Sequence, residues 1–109
     1  MKATSAARPI LLVSTSFETL YQAWAERRTA LREQDPSRAA AAAKVVLGAM
    51  RELAIENLVP FAYSEVREAN RSLAAGVGAD ALAHAELAVR LAPELADAHA
   101  ALARARFAR

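Results

Sequence analysis

Apolar residues recur along most of the chain at intervals of three or four positions, the spacing that places side chains on one face of an α-helix. Four breaks interrupt this period, and they lie at Asp35-Pro36, Val59-Pro60, Gly76 to Gly78 and Ala92-Pro93. Proline disfavours a helical conformation in the residue before it, and glycine supplies the left-handed conformations that close a helix. The pattern therefore predicts five helices joined by short connections.

The first two helices are predicted to form a long hairpin over residues 15–58. Thr15 stands three residues before Glu18, which is the spacing of a capping box at the start of a helix. The apolar face of this helix consists of Phe17, Leu20, Tyr21, Trp24 and Leu31. The Asp35-Pro36 pair ends it and can also open the second helix, which is predicted to run to about Asn57.

The remaining segments are a tail and three shorter helices. Residues 1–14 show no period, and we expect a loose tail that docks its apolar run, Ile10 to Val13, onto the body. The third helix is predicted from about Phe61 to Ala75, and the fourth from a cap at Asp80 to about Leu91. The fifth follows Pro93 and continues to the last residue. Gly76 and Gly78 are both expected to adopt left-handed conformations.

Composition supports an all-α fold of antiparallel helical hairpins. Alanine, the strongest helix former, occupies 30 of the 109 positions, whereas Phe, Trp and Tyr together supply six. The core must therefore form by close approach of helices with few large side chains. The heavy use of Ala and Arg also fits a GC-rich bacterial genome.

The charge and the missing cysteines exclude several classes of function. The formal net charge is +2, and no segment forms a polybasic arm for nucleic acid or anionic lipid. The absence of cysteine removes disulfides, thiolate nucleophiles and thiolate metal sites. The run from Ile10 to Val13 is too short for a signal peptide or a membrane span. We expect a soluble chain, cytoplasmic by default, or from the cell envelope if it is an excerpt of a longer protein.

No group of side chains predicts catalysis, a metal site or a cofactor. The two histidines, His84 and His99, share no helical face, and we expect both to be solvated or half-buried. Glu52 with Glu56, and Glu65 with Glu68, lie one turn apart, as carboxylates on the surface of a helix commonly do. The interpretation is therefore that the chain is not an enzyme and carries no metal and no cofactor.

Residues 76–103 resemble the tetratricopeptide repeat (TPR), in which small residues at fixed spacing precede a terminal proline. The residues that carry the resemblance are Gly76 at the turn, Ala81 and Ala88 in the second helix, Pro93 at the end, and Ala98, Leu102 and Ala103 in the next helix. Ala88 is expected at a close helix contact and Ala101 on a more open face. The chain departs from the family at Glu65, Glu68 and Ser72, where large apolar residues are usual, and at Ala85, where an aromatic is usual. The hairpin over residues 15–58 does not match the repeat.

The resemblance implies a TPR-like helical array over residues 61–109, consisting of one repeat and the first helix of another. It also implies a groove that holds an extended peptide or a helix of another protein. The residues that the resemblance places in this groove are Tyr63, Val66, Asn70, Leu73, Asp97, Arg104 and Phe107. The leading hypothesis is thus a non-catalytic protein–protein interaction scaffold, excerpted from a longer protein.

Four further interpretations concern partners. Arg104, Arg106 and Arg109 lie near the end of the last helix, where cations favour the helix dipole or anchor an acidic partner. The arginine excess motivates an alternative function, a helical nucleic-acid-binding or regulatory domain, although nucleic acid is not the expected partner. A structural hairpin that dimerises is a third option. We also expect self-association through the C-terminal helix, by an apolar face formed of Leu95, Leu102 and Phe107.

Overall fold

Five α-helices account for most of the computed structural model, which describes residues 2–108 and the side chains from Phe17 onward. The described residues contain no strand, so the predicted all-α class is confirmed. The helices are α1 (Lys2–Arg32), α2 (Pro36–Leu53), α3 (Val59–Ala74), α4 (Gly78–Leu91) and α5 (Ala96–Phe107). They form two compact units, Met1–Ile55 and Glu56–Arg109.

The first unit is an antiparallel hairpin of α1 and α2. Its turn is short because Gln34 adopts a left-handed conformation, with φ of 58°. Asp35 then caps α2, since its side chain accepts a hydrogen bond from the backbone N–H of Arg38 at 3.2 Å. Pro36 follows at the first helical position, where a missing N–H costs nothing. The predicted cap at Asp35 and the predicted first helical position of Pro36 are confirmed.

The buried face of α1 differs from the predicted one. Phe17 and Tyr21 are 53% and 62% exposed, and the residues that face α2 are Leu20, Ala23, Arg27 and Ala30. Alanines on both helices let the backbones approach closely, and bulky rings do not fit at such a contact. The aromatic side chains therefore lie at the edge of the hairpin, with Trp24 half-buried.

Each helix of the hairpin has one boundary that differs from the prediction, the start of α1 and the end of α2. Helix α1 already begins at Lys2, so the residues predicted as a loose tail belong to it and the capping box at Thr15 lies inside it. The expected docking of Ile10 to Val13 concerns side chains outside the described ones. Helix α2 ends at Leu53 because Ala54 turns left-handed, and the N–H of Ile55 then donates to the Met50 carbonyl at 2.9 Å. No glycine marks this stop, which is why the sequence pattern missed it.

The second unit packs α3, α4 and α5 together, with α5 against both of the other helices. Helix α3 begins at Val59, with Leu58 as its N-cap and Pro60 in its first turn. The N–H of Leu58 donates to the Leu91 carbonyl at 2.7 Å, which fixes the start of α3 beside the end of α4. The side chain of Asn57 accepts from the N–H of Glu94 at 3.2 Å, next to the same corner.

The turn between α3 and α4 confirms the prediction for Gly76 and corrects those for Gly78 and for the cap at Asp80. Gly76 has φ of +81°, a conformation that side chains rarely adopt. Gly78 is instead the first residue of α4, and only Gly76 among the described glycines has positive φ. The N-cap of α4 is Val77, so Asp80 does not cap the helix. It lies in the first turn, where a carboxylate still favours the helix dipole.

Alanines form the centre of this three-helix unit. Ala81, Ala85 and Ala88 of α4 have no exposed surface, and the same holds for Ala98, Ala101 and Ala105 of α5. Their spacing of three or four residues makes one small-residue face on each helix. The expectation of a more open face at Ala101 is wrong, because α5 packs on α3 as well as on α4.

We expect Ala88→Leu to destabilise the α3–α5 unit by about 1 to 3 kcal/mol, because the larger side chain must push two packed backbones apart. Ala83→Leu is the matched control, since Ala83 lies exposed on the same helix and Leu is nearly as good a helix former. Thermal unfolding followed by circular dichroism measures both. Equal melting temperatures for the two variants would contradict the close contact at Ala88.

Candidate functional site

Helices α3 and α5 pack against each other and carry the predicted groove residues. The Tyr63 hydroxyl interacts with the Asp97 carboxylate across the two helices, and hydrogen bonding to that carboxylate, reinforced by its charge, raises the pKa of the Tyr63 phenol above 10.0. Tyr63 is 38% exposed and Asp97 is exposed, so the pair lies at the surface. The sequence placed both residues in one groove, and the structure brings them together.

A second polar pair lies two turns further along the same two helices. The Arg104 guanidinium donates a hydrogen bond to the Asn70 side-chain oxygen at 2.9 Å, between residues 34 positions apart. The residue numbers of Tyr63 and Asp97 differ by the same amount. Because both pairs advance in the same direction along α3 and α5, these two helices run parallel. Four of the seven predicted groove residues therefore form two matched cross-helix pairs.

The three apolar residues of the predicted groove have different environments. Val66 is buried, with 7% of its surface exposed, so it supports the face from below. Leu73 is half-buried near the end of α3. Phe107 is 89% exposed, one turn after Arg104 on α5. Only Phe107 of these three offers a large apolar surface to a ligand.

A buried carboxylate–imidazole contact that the sequence interpretation missed lies between α3 and α4. Glu65 is 1% exposed, and its carboxylate oxygen lies 2.7 Å from Nδ1 of His84, whose side chain is 13% exposed. The expectation that Glu65 is an ordinary surface carboxylate is wrong. The sequence did contain one signal of this burial, because the resemblance assigns a large buried residue to the position of Glu65. A carboxylate can occupy such a place when an imidazole on the facing helix accompanies it.

The remaining predicted residues are spread over the unit. Glu68 forms an ion pair with Arg71 at 3.0 Å, and 27% of the Glu68 side chain is exposed. His99 is exposed, and its Nε2 lies 2.6 Å from the Pro93 carbonyl, which it can hold as a donor. Arg106 is exposed near the end of α5, and Arg109 lies outside the described residues. The two histidines therefore serve separate local roles.

Arginines of the hairpin unit interact mainly with the chain itself. The Arg38 guanidinium lies 2.8 Å from Glu26 and 2.6 Å from Glu33, and its hydrogen bond lowers the pKa of the Glu26 carboxyl. Arg27 is only 7% exposed and donates to the Ala39 carbonyl at 2.9 Å. Cations that are held in this way are poorly placed to neutralise phosphates, so the geometry does not favour a nucleic-acid interface on this unit.

An open groove of about 400 Å³ runs along one side of the α1–α2 hairpin. Its lining is Thr19, Gln22, Ala23, Glu26, Arg38, Ala41, Ala42 and Val45. The charged residues in this lining, Glu26 and Arg38, are the ones that pair with each other. The groove thus offers mainly methyl groups and few free polar atoms for recognition.

Metal and membrane functions find no support in the described part of the chain. Among residues 2–108, no three acidic, histidine or cysteine side chains lie together in a way that could hold a metal ion. No described helix is long and apolar enough to cross a membrane.

Comparison with known proteins gives no match. The chain matches no protein-family model, no curated protein and no solved structure. Its function must therefore be inferred from its own contacts.

We expect Asp97→Asn to lower the pKa of Tyr63 toward 10.0, because the substitution removes the charge that stabilises the protonated phenol. The raised pKa also means that this contact favours folding fully below pH 10 and ceases to do so as the pH rises through the folded pKa. A Tyr21→Phe background leaves Tyr63 as the sole tyrosine, so ultraviolet titration of tyrosinate reports on it alone. Asp80→Asn, on the exposed first turn of α4, is the control and should leave the pKa unchanged.

We expect Glu65→Ala to destabilise the α3–α5 unit by about 3 kcal/mol, because it removes one partner of a buried ionisable pair. The control is Glu68→Ala, which removes a more exposed partner and should cost about 1 kcal/mol or less. Hydrogen exchange of the α3 and α4 amides in urea measures both losses. Similar protection in the two variants would show that Glu65 is solvated.

Proposed function

We propose that the chain is a non-catalytic protein–protein interaction scaffold of the tetratricopeptide type. In this proposal the face shared by α3 and α5 holds a peptide or a helix of another protein. The single observation that supports it best is the pair of cross-helix contacts, Tyr63 with Asp97 and Asn70 with Arg104, each spanning 34 residues.

The separation of 34 residues is informative because it equals the length of a tetratricopeptide unit. Stacked repeats place equivalent positions of successive first helices side by side, so contacts between α3 and α5 at this offset are expected of a repeat and need not arise in an arbitrary three-helix unit. Two such contacts, two turns apart, keep the same offset along the whole shared face. They support the alignment that the sequence pattern suggested.

Packing in the same unit gives independent support. The alanines at the small positions of the second helix, Ala81 and Ala88, have no exposed surface. Gly76 adopts the left-handed conformation that a tight turn between paired helices requires. Helix α5 packs on both α3 and α4, as the first helix of a following repeat would.

The chemistry of the face suits recognition of a peptide. It carries a phenol, an amide, a carboxylate and a guanidinium, which together offer donors and acceptors of both signs. Tyrosine and arginine are the residue types that contribute most binding energy at protein interfaces. The adjacent Phe107 is 89% exposed and adds an apolar anchor beside Arg104.

A displayed library of random peptides, selected on the whole chain, provides ligands while the natural partner is unidentified. We expect selected peptides to shift the backbone amide resonances of α3 and α5, and Arg104→Ala to weaken their binding about tenfold. The reason is that Arg104 contributes a charged donor at the centre of the proposed face. Fluorescence anisotropy with labelled peptides gives the dissociation constants.

The matched control is Arg90→Ala, which removes an exposed arginine from α4 and should leave peptide affinity unchanged. Resonance shifts confined to α1 and α2 would contradict the proposal. Tight binding to random duplex or single-stranded DNA that weakens steeply with salt would instead favour the nucleic-acid alternative.

A further inference from the structure

Helix α4 has two edges beside its buried alanine face. On one edge His84 meets Glu65 of α3 at 2.7 Å. On the other edge lie Leu82 and Val89, which are seven residues apart and therefore share a face, and both are half-buried. Since α3 occupies the His84 edge, the edge with Leu82 and Val89 lies on the side where α5 packs.

Helix α5 also has two edges. Asp97 and Arg104 lie on the edge that meets α3, through their pairs with Tyr63 and Asn70. Leu95 and Leu102, again seven residues apart, are half-buried on the opposite edge. That edge must face the α4 side, so the two apolar edges adjoin. We call this surface, formed by Leu82, Val89, Leu95 and Leu102, the α4–α5 seam.

Opposite charges lie beside the seam on its two helices. Glu86 follows Leu82 by one turn on α4, Arg106 follows Leu102 by one turn on α5, and both are exposed. Neither takes part in a hydrogen bond or an ion pair with any residue between 17 and 108. An apolar strip with an unpaired acid on one side and an unpaired base on the other is complementary to itself.

We propose that the α4–α5 seam binds the same seam of a second copy of this chain. With the two-fold axis parallel to the helices, α4 lies against α5 of the second copy, which places Glu86 and Arg106 of the second copy on facing helices twice over. With the axis perpendicular to the helices, α4 would lie against α4, and Glu86 would face the helix that carries its own equivalent. Like charges at an interface are unfavourable, so the charges select the first arrangement.

This surface differs from the self-association face expected from sequence. Leu102 and Phe107 are five residues apart, which places them about 140° apart around the helix, so Leu95, Leu102 and Phe107 do not form one face. The seam also lies on the edge of α5 away from Tyr63 and Asn70. Self-association through the seam therefore leaves the proposed peptide face open, and each proposal can fail without the other.

Sedimentation equilibrium of variants in which the charges of Glu86 and Arg106 are reversed tests the proposal. We expect the parent chain to dimerise below ~500 µM, and Glu86→Arg or Arg106→Glu alone to lower the association constant about tenfold, since each change introduces two repulsive contacts. The double variant, Glu86→Arg with Arg106→Glu, should restore the association constant to within about threefold of the parent. Phe107→Glu is the control on another face and should leave it unchanged.

Three results would overturn the proposal: a parent that stays monomeric at ~500 µM, single exchanges without effect, or a double variant as weak as the singles. Circular dichroism of each variant verifies that its helices are retained. If either reversal unfolds the unit, Glu86→Gln and Arg106→Gln give a milder comparison, in which each change must still weaken the dimer.

Discussion

Close approach of backbones over alanine is the constraint on which the α3–α5 unit depends. Ala81, Ala85 and Ala88 of α4 are fully buried, and so are Ala98, Ala101 and Ala105 of α5. Methyl groups add little apolar area each, so such a core is stable only when the backbones come near enough for many weak dispersion contacts. The positions of the polar pairs on α3 and α5 follow from this packing, because it fixes how far apart the two helices lie. The proposed peptide face is a consequence of that distance.

The Glu65–His84 pair fits the same constraint. Glu65 is the largest fully buried side chain of α3, and it faces a helix whose buried residues are mostly alanine. Its carboxylate and the His84 ring form a directional contact at 2.7 Å, whereas methyl groups alone allow helices to slide. The pair therefore contributes orientation between α3 and α4 as well as volume.

The sequence predicted what depends on local conformation and was weaker on what depends on tertiary environment. The number of helices, the Asp35 cap and the left-handed Gly76 follow from residue types with strong local preferences, and all are confirmed. The end of α2 at Ala54 is not marked by glycine, and the exposed Phe17 and Tyr21 depend on how closely α2 approaches α1. Which face of a helix becomes buried depends on the helices that pack against it. The spacing of apolar residues within one helix does not contain that information.

The candidate site shows the same division. The resemblance placed Tyr63, Asn70, Asp97 and Arg104 on one face, and the structure then joins them in two pairs. The resemblance offered one signal that Glu65 is buried, the large apolar residue usual at that position, but the residue type argued against burial because a lone glutamate on a helix is usually solvated. The exposure of Phe107 likewise could not be predicted from the spacing of apolar residues in α5, because that exposure depends on what covers the end of the helix.

The buried Arg27 has a consequence for how the hairpin selects its alignment. The uninterrupted alanines from Ala39 to Ala43 present a uniform methyl surface over a little more than one turn, so this part of α2 does little by itself to fix the alignment with α1. Arg27 favours the observed alignment over a shifted one, because its guanidinium reaches the Ala39 carbonyl there. A shifted hairpin would separate this cation from its acceptor while still covering it. One arginine thus supplies the specificity that a smooth, uniform helix surface lacks.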